Sequence, residues 1–170
     1  NEPASFKGPL PDDVQFADED DTAILHKDAH NIYGHCMAMA TKDGWLKYDG
    51  RRPFIITRAA YAGTQRYSMF WTGDNQSIWA HLQMAIPQLC NLGLSGFSYA
   101  GTDVGGFGAD TTKELLARWV QVGCLSPFFR NHSAQGTRRQ EPWQFDKELL
   151  EIYRKYVELR YRLLPYIYDC

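Results

Sequence analysis

Short apolar runs that stop at a polar residue, each followed by a stretch of helical spacing, recur along this chain and limit its fold more than any other feature. The sharpest instance is Ser68-Met-Phe-Trp-Thr-Gly-Asp-Asn-Gln-Ser-Ile-Trp79. It opens as an aromatic run suited to a buried parallel strand, about 67–71, and breaks at Thr72-Gly73-Asp74-Asn75 before helical spacing begins. Asp74 thus falls on a strand-to-helix turn. In α/β folds that turn lies at the carboxyl end of the strand, where ligands bind, and a carboxylate flanked by Trp71 and Trp79 suits a cleft better than a core. The competing reading is structural: Asp and Asn lead the N-cap preferences, so Asp74 or Asn75 could simply cap the next helix.

The rhythm repeats on both sides. Within 30–46, Ile32, Tyr33, Cys36, Met37, Met39 and Ala40 recur at helical spacing, in a helix closing near Gly44. Pro53-Phe-Ile-Ile-Thr-Arg58 is a short β-branched run, a parallel strand with Arg58 at its carboxyl end. The connection 59–67 is too short for a crossover helix, so something irregular replaces it. A helix is expected over about 75–92, with Ile78, Leu82, Met84, Ala85, Ile86 and Leu89 inward and Pro87 kinking or ending it. Residues 96–103 are strand-like and enter a glycine-rich turn, 101–108, whose spacing matches neither dinucleotide nor phosphate-loop patterns; its glycines let backbone pass close to a ligand and project Asp103 and Phe107. Thr111-Thr-Lys-Glu114 resembles a capping box ahead of a helix facing inward through Leu115, Leu116, Trp119 and Val120. Cys124 to Phe129 is another apolar strand, ending in Arg130-Asn131-His132. A last amphipathic helix, about 146–163, uses Leu149, Leu150, Tyr153, Tyr156, Val157 and Tyr161 and is closed by Pro165.

A helix followed by repeated strand, loop and helix, with the interesting polar residues just past the strands, is the pattern of a (β/α) barrel. A complete barrel takes around 250 residues, and half of one leaves strand edges unpaired. With about four strands in 170 residues, the chain is expected to belong to a larger polypeptide or complex. Its 44% hydrophobic and 14% aromatic content marks globular material. A net charge of -2 without a basic stripe argues against nucleic acid or an anionic membrane as partner, and no run reaches the roughly 18 apolar residues of a membrane span. Cys36, Cys90, Cys124 and Cys170 have no metal-ligand or redox spacing and read as reduced core thiols, which favours a cytoplasmic location. The acidic run Asp18-Glu19-Asp20-Asp21 lacks the alternating ligands of a calcium loop and reads as a solvated turn.

If the strands are as read, Asp74, Asp103, Arg58 and His132 reach one rim, with Trp71 and Phe107 beside them. A carboxylic acid near an apolar wall has its pKa raised and can donate a proton at neutral pH. Aromatic faces pack against the C–H faces of sugars while Arg, His and Asp bond hydroxyls, and together these are parts of a glycosidase subsite. A divalent metal on Asp74, Asp103 and His132 is the competing assignment, without the ligand spacing of known sites. No metal or other cofactor is expected.

The chain resembles the retaining α-glucosidases of glycoside hydrolase family 31 over essentially all 170 residues. The likeness rests on Asn1-Glu2-Pro3, Ile56-Thr57-Arg58, Phe70-Trp71-Thr72-Gly73-Asp74-Asn75, Gly101-Thr102-Asp103-Val104-Gly105-Gly106-Phe107 and Arg130-Asn131-His132, in that order. The first is similar to the tail of the family's W-x-D-M-N-E-P signature; the third carries its acid/base aspartate. The resemblance implies the C-terminal half of a (β/α)8 TIM barrel, incomplete on its own, with residues 1–170 running from after strand 4 to the last barrel helix. It implies Asp74 as general acid/base, Arg58 and His132 as sugar ligands, Trp71 and Phe107 as lining, and Asp103 as support. The activity implied is exo-acting release of glucose from maltose-type α-glucosides by double displacement, with the rest of the same barrel as the other partner. The family's nucleophile falls ahead of Asn1, outside these residues, so the isolated chain is predicted to be inactive. The sequons at Asn75 and Asn131 lie inside the motifs, where a glycan would block the cleft, and read as unused. The rival readings are a related α-glycosidase (α-xylosidase, lyase or transglycosylase), a non-catalytic sugar-binding module and a plain structural half-barrel.

Overall fold

The computed structural model describes residues 4–5, 7–17, 20 and 22–169. Asn1-Glu2-Pro3, most of the acidic run and Cys170 lie outside the described residues. The chain forms two units, Asn1–Phe70 and Trp71–Cys170.

In the first unit, β1 (Ala4–Ser5) pairs antiparallel with β2 (Gly8–Pro9), and β3 (Gln15–Ala17) with β4 (Ala23–Leu25). Helix α1 (His26–Tyr48) is longer at both ends than its periodicity indicates, and Gly44 lies within it. Its buried residues are His26, Ala29, Gly34 and Ala38, whereas Ile32 and Met37, expected inside, are exposed. Close approach explains the shift: a Cβ on Gly34 would sit 2.5 Å from the Ala59 Cβ, so the helix seats on its small residues and carries the large ones at its flanks. Strand β5 (Ile56–Thr57) pairs in parallel with β6 (Met69–Trp71), Ile56 opposite Met69. The short link between them holds a single 3-10 turn, Thr64–Arg66, in place of a crossover helix. Buried Thr64 organises it, its Oγ1 accepting the Tyr61 N–H at 2.9 Å and lying 2.9 Å from His35 Nδ1.

The second unit continues through α2 (Trp79–Leu94), β7 (Ala100–Gly101), β8 (Asp103–Val104), α3 (Lys113–Gly123), β9 (Arg130–Asn131) and α4 (Lys147–Asp169). Strand β8 runs parallel to β9, with Asp103 opposite Arg130. On β7, the Gly101 carbonyl accepts from Thr72 N–H and the Ala100 carbonyl from Phe128 N–H, each at 3.1 Å. The core gathers Leu82, Val104, Leu115, Leu116, Trp119, Val120 and Leu149, so α3 buries the face its spacing indicates. Thr112, one residue past the expected start of the capping box, accepts Leu115 N–H as the α3 N-cap.

Four expectations need correction. Helix α2 starts at Trp79, not near Asn75, and buries only Leu82 and Ala85 of the six residues assigned to its inner side. It also does not end at Pro87, and α4 is not closed by Pro165 but runs on to Asp169. Proline's φ is itself helical; what it forfeits is one N–H and room at the carbonyl four residues earlier, a local loss that flanking turns can outweigh. Residues 124–129 are not a strand. Leu125 and Ser126 donate back to the carbonyls of Val122 and Gly123, so the apolar run opens as a turn, Phe128 N–H bonds to Ala100 on β7, and the strand begins at Arg130. Among the cysteines, Cys124 is a core thiol, but Cys36 and Cys90 are free and exposed.

Candidate active site

Strand β6 delivers Trp71, and the chain then turns through Gly73, whose φ is +85°, to present Asp74 exposed. Helix α2 is capped by neither candidate: its N-cap is Ile78, with no side-chain bond. The polar residues of 73–78 are spent on the turn itself. Asn75 N–H donates to Gly73 C=O at 3.0 Å, Gln76 N–H to His81 Nδ1 at 2.7 Å, and Ser77 N–H to Gly108 C=O at 2.7 Å. The buried Asn75 amide reaches the next strand end, with Nδ2 donating to Asp103 C=O and Oδ1 accepting Phe107 N–H, both at 3.3 Å. That side chain thus ties the turn to the backbone of Asp103 and Phe107.

Asp103 is fully buried on β8. Its Oδ1 accepts from Arg130 Nε at 3.1 Å and Nη2 at 2.5 Å, while its buried Oδ2 has no partner among the described residues. Burial pushes the Asp103 pKa up; Arg130 and His132 pull it down, and Asp74 pushes it up further. The carboxyl that burial raises is thus Asp103. That influence also records that Asp74, Asp103 and His132 share one neighbourhood. Arg130 sits 5.6 Å from the Trp71 ring and 5.2 Å from that of Phe128, a cation over aromatic faces. The Trp71 Nε1 and Thr72 Oγ1 are likewise buried without partners among the described residues.

Phe107 and His132 bring their rings to 5.2 Å between centroids, tilted by 31°. The loop carrying Phe107 is strapped from two sides. Ala134 N–H donates to Phe107 C=O at 2.8 Å, and buried Gln140 donates through Nε2 to Gly106 C=O at 2.8 Å. Gly106 has φ +90° and a Cβ there would meet Ser77 at 2.5 Å, so no other residue fits the close pass of loop and turn.

Two openings adjoin these groups. A cavity of about 140 Å³ is lined by Thr72, Asp74, Asn75, His81, Gln88 and Thr102, and a cleft of about 710 Å³ includes His132, Arg139, Trp143 and Tyr153. Arg58 lies in the first unit, half-buried just past β5, its peptide spanned by a 2.8 Å bond from Thr57 Oγ1 to Ala59 C=O. Among the described residues no group of three His, Cys, Asp or Glu is placed to hold a metal ion, and none of their helices is long and apolar enough to cross a membrane. Sequence reasoning quoted Arg130 in a motif without giving it a role, and passed over Gln140. An arginine one strand away from a buried aspartate is a signal available only once strand pairing is known; Gln140 carries no local signal.

The family model described as the glycosyl hydrolases family 31 TIM-barrel domain matches residues 1–170. The chain is 50% identical over 170 residues to "Alpha-glucosidase 2" of Bacillus thermoamyloliquefaciens, covering 99% of this chain and 22% of that protein. Among solved structures it superposes with a TM-score of 0.88 and 41% identity on the endoplasmic-reticulum glucosidase II complex of catalytic subunit and regulatory-subunit binding domain, covering 97% of this chain and 18% of that one. A family 31 α-glucosidase from Bacteroides thetaiotaomicron gives a TM-score of 0.81 at 40% identity, over 93% of this chain and 27% of that one. The chain therefore spans about a fifth to a quarter of the length of these relatives.

Proposed function

The chain belongs to family 31 of the glycosyl hydrolases, and from that premise we propose that its complete polypeptide is a retaining, exo-acting α-glucosidase on maltose-type substrates, with Asp74 as acid/base. The observation that carries this reading is the placement of Asp74: exposed past a barrel-type parallel strand, on the wall of a cavity, beside a buried Asp103 and released from capping the helix. The 170 residues then form the C-terminal half of the barrel, from after strand 4 to its last helix. The apolar residues that α2 leaves exposed fit a sheet and helix layer continued by the rest of the same polypeptide.

In this mechanism an aspartate ahead of Asn1 attacks the anomeric carbon while Asp74 protonates the departing oxygen. Asp74 then takes a proton from the water that hydrolyses the glycosyl-enzyme, so configuration is retained. His132 and Arg58 bond sugar hydroxyls, Trp71 and the Phe107 ring wall the sugar, and Asp103, held by Arg130 through one oxygen, offers the other. The isolated chain lacks the nucleophile and is inactive. The free thiols at Cys36, Cys90 and Cys124 favour a reducing compartment such as the cytoplasm.

The test is Asp74→Asn in the complete polypeptide, assayed on p-nitrophenyl α-glucoside with and without azide. General acid/base catalysis contributes about 10²–10⁴-fold, so turnover should fall by that order and azide should restore it, giving the α-glucosyl azide. A β-glucosyl azide would instead make Asp74 the nucleophile. An unchanged rate would remove Asp74 from the chemistry.

A further inference from the structure

The turn that presents Asp74 needs its backbone donors satisfied, and one is satisfied in an unusual way. Asn75 and Ser77 donate to main-chain carbonyls, but Gln76 N–H donates to a side chain, His81 Nδ1, at 2.7 Å. His81 stands in the first turn of α2, is half-buried and lines the same 140 Å³ cavity as Asp74. A ring nitrogen that accepts leaves the other ring nitrogen to carry the proton, so this bond fixes the tautomer along with the turn. Gln76 is also bridged to Gly108, which ties the same peptide to the loop carrying Phe107. Without the imidazole, the peptide two residues past Asp74 loses its acceptor.

We propose that His81 is a positioning residue for the acid/base: by accepting Gln76 N–H it fixes the turn on which the Asp74 carboxyl meets the leaving oxygen. This rests on the assignment of Asp74 above. Proton donation is sensitive to placement because the donor must lie within hydrogen-bond reach of the oxygen it serves. Sugar binding, by contrast, is assigned to other residues, Arg58, Trp71, Phe107 and His132. Losing His81 should therefore damage proton transfer more than binding.

Leaving-group dependence separates the two. Maltose needs a proton on its departing oxygen, whereas α-glucosyl fluoride expels fluoride with little help, and kcat/KM reports the steps up to that cleavage. In the complete polypeptide, His81→Ala should lower kcat/KM for maltose by about tenfold or more while changing that for α-glucosyl fluoride less than about twofold. His81→Asn, whose Oδ1 can occupy the position of Nδ1 and accept the same N–H, should recover most of the loss. Equal losses on both substrates, no loss on maltose, or an Asn variant no better than Ala would each overturn the proposal. Asp74→Asn is measured alongside. If it shows the selective loss and His81→Ala does not, only the role of His81 fails; if Asp74→Asn itself loses both substrates equally, the acid/base assignment fails and takes the inference with it.

Discussion

Asp103 carries two opposed demands at a single residue. Burying a carboxylate is unfavourable, and one arginine contact on Oδ1 does not offset the removal of water from both oxygens, so the pKa rises above the ordinary aspartate value of 3.8. The sign follows from proton binding. A group that holds its proton more tightly folded than unfolded contributes its stability in full below the unfolded value, and that contribution declines as pH rises through the folded one. Asp103→Asn removes the titration. The thermal midpoint of the wild-type polypeptide, taken relative to this variant, should accordingly fall as pH is raised from about 4; a relative midpoint that climbs with pH would contradict the burial argument.

At the scale of elements, the strands contribute two or three residues each and the loops do the fastening. Gln140 is the clearest case, reaching from the segment before α4 to the carbonyl of Gly106 while its own carbonyl accepts from Asn131 Nδ2 at 3.0 Å. Gln140→Leu would keep the volume and strip the donor. An unpaired buried carbonyl costs about 1–3 kcal/mol, so the thermal midpoint should drop and KM for maltose should rise as Phe107 loosens against His132; an unchanged KM would mean the loop holds without the strap. How legible was this in the sequence? The strand end at Trp71 was, because aromatic and glycine punctuation is local, and so was the inner face of α3, whose period is regular; the stretch 96–103, expected as one strand ending at Asp103, instead holds β7 at Ala100–Gly101, with Asp103 opening β8. The start of α2 was not. Asp74, Asn75 and Ser77 all suit an N-cap, and only tertiary partners, Gly108 and Phe107 among them, show that the turn spends Asn75 and Ser77 elsewhere. The run 124–129 misled for a related reason: apolar residues report burial, whereas a strand is defined by which backbone groups pair, and here those of Leu125 and Ser126 pair in a turn.

For the molecule as a whole, α2 is decisive. A helix apolar on nearly every side belongs inside a larger core, yet Trp79, Met84, Ile86 and Leu94 are 51%, 49%, 51% and 88% exposed in these 170 residues. Expressed alone, the chain should bind a hydrophobic dye such as ANS strongly, associate in a concentration-dependent way, and release no glucose from maltose, all checked on one purified sample. A monodisperse, dye-silent sample with activity would refute both the half-barrel and the missing-nucleophile readings.

Arg160 on α4 donates to the carbonyls of Cys124, Ser126 and Pro127, at 3.2, 2.6 and 2.6 Å. It thereby clasps from behind the bend that leads into Arg130 and His132. A ribosome delivers these residues in order, N-terminus first. The bend therefore emerges more than thirty positions before its clasp, and the Arg130–Asn131 strand has to wait for α4 to be made before the bend behind it can be locked.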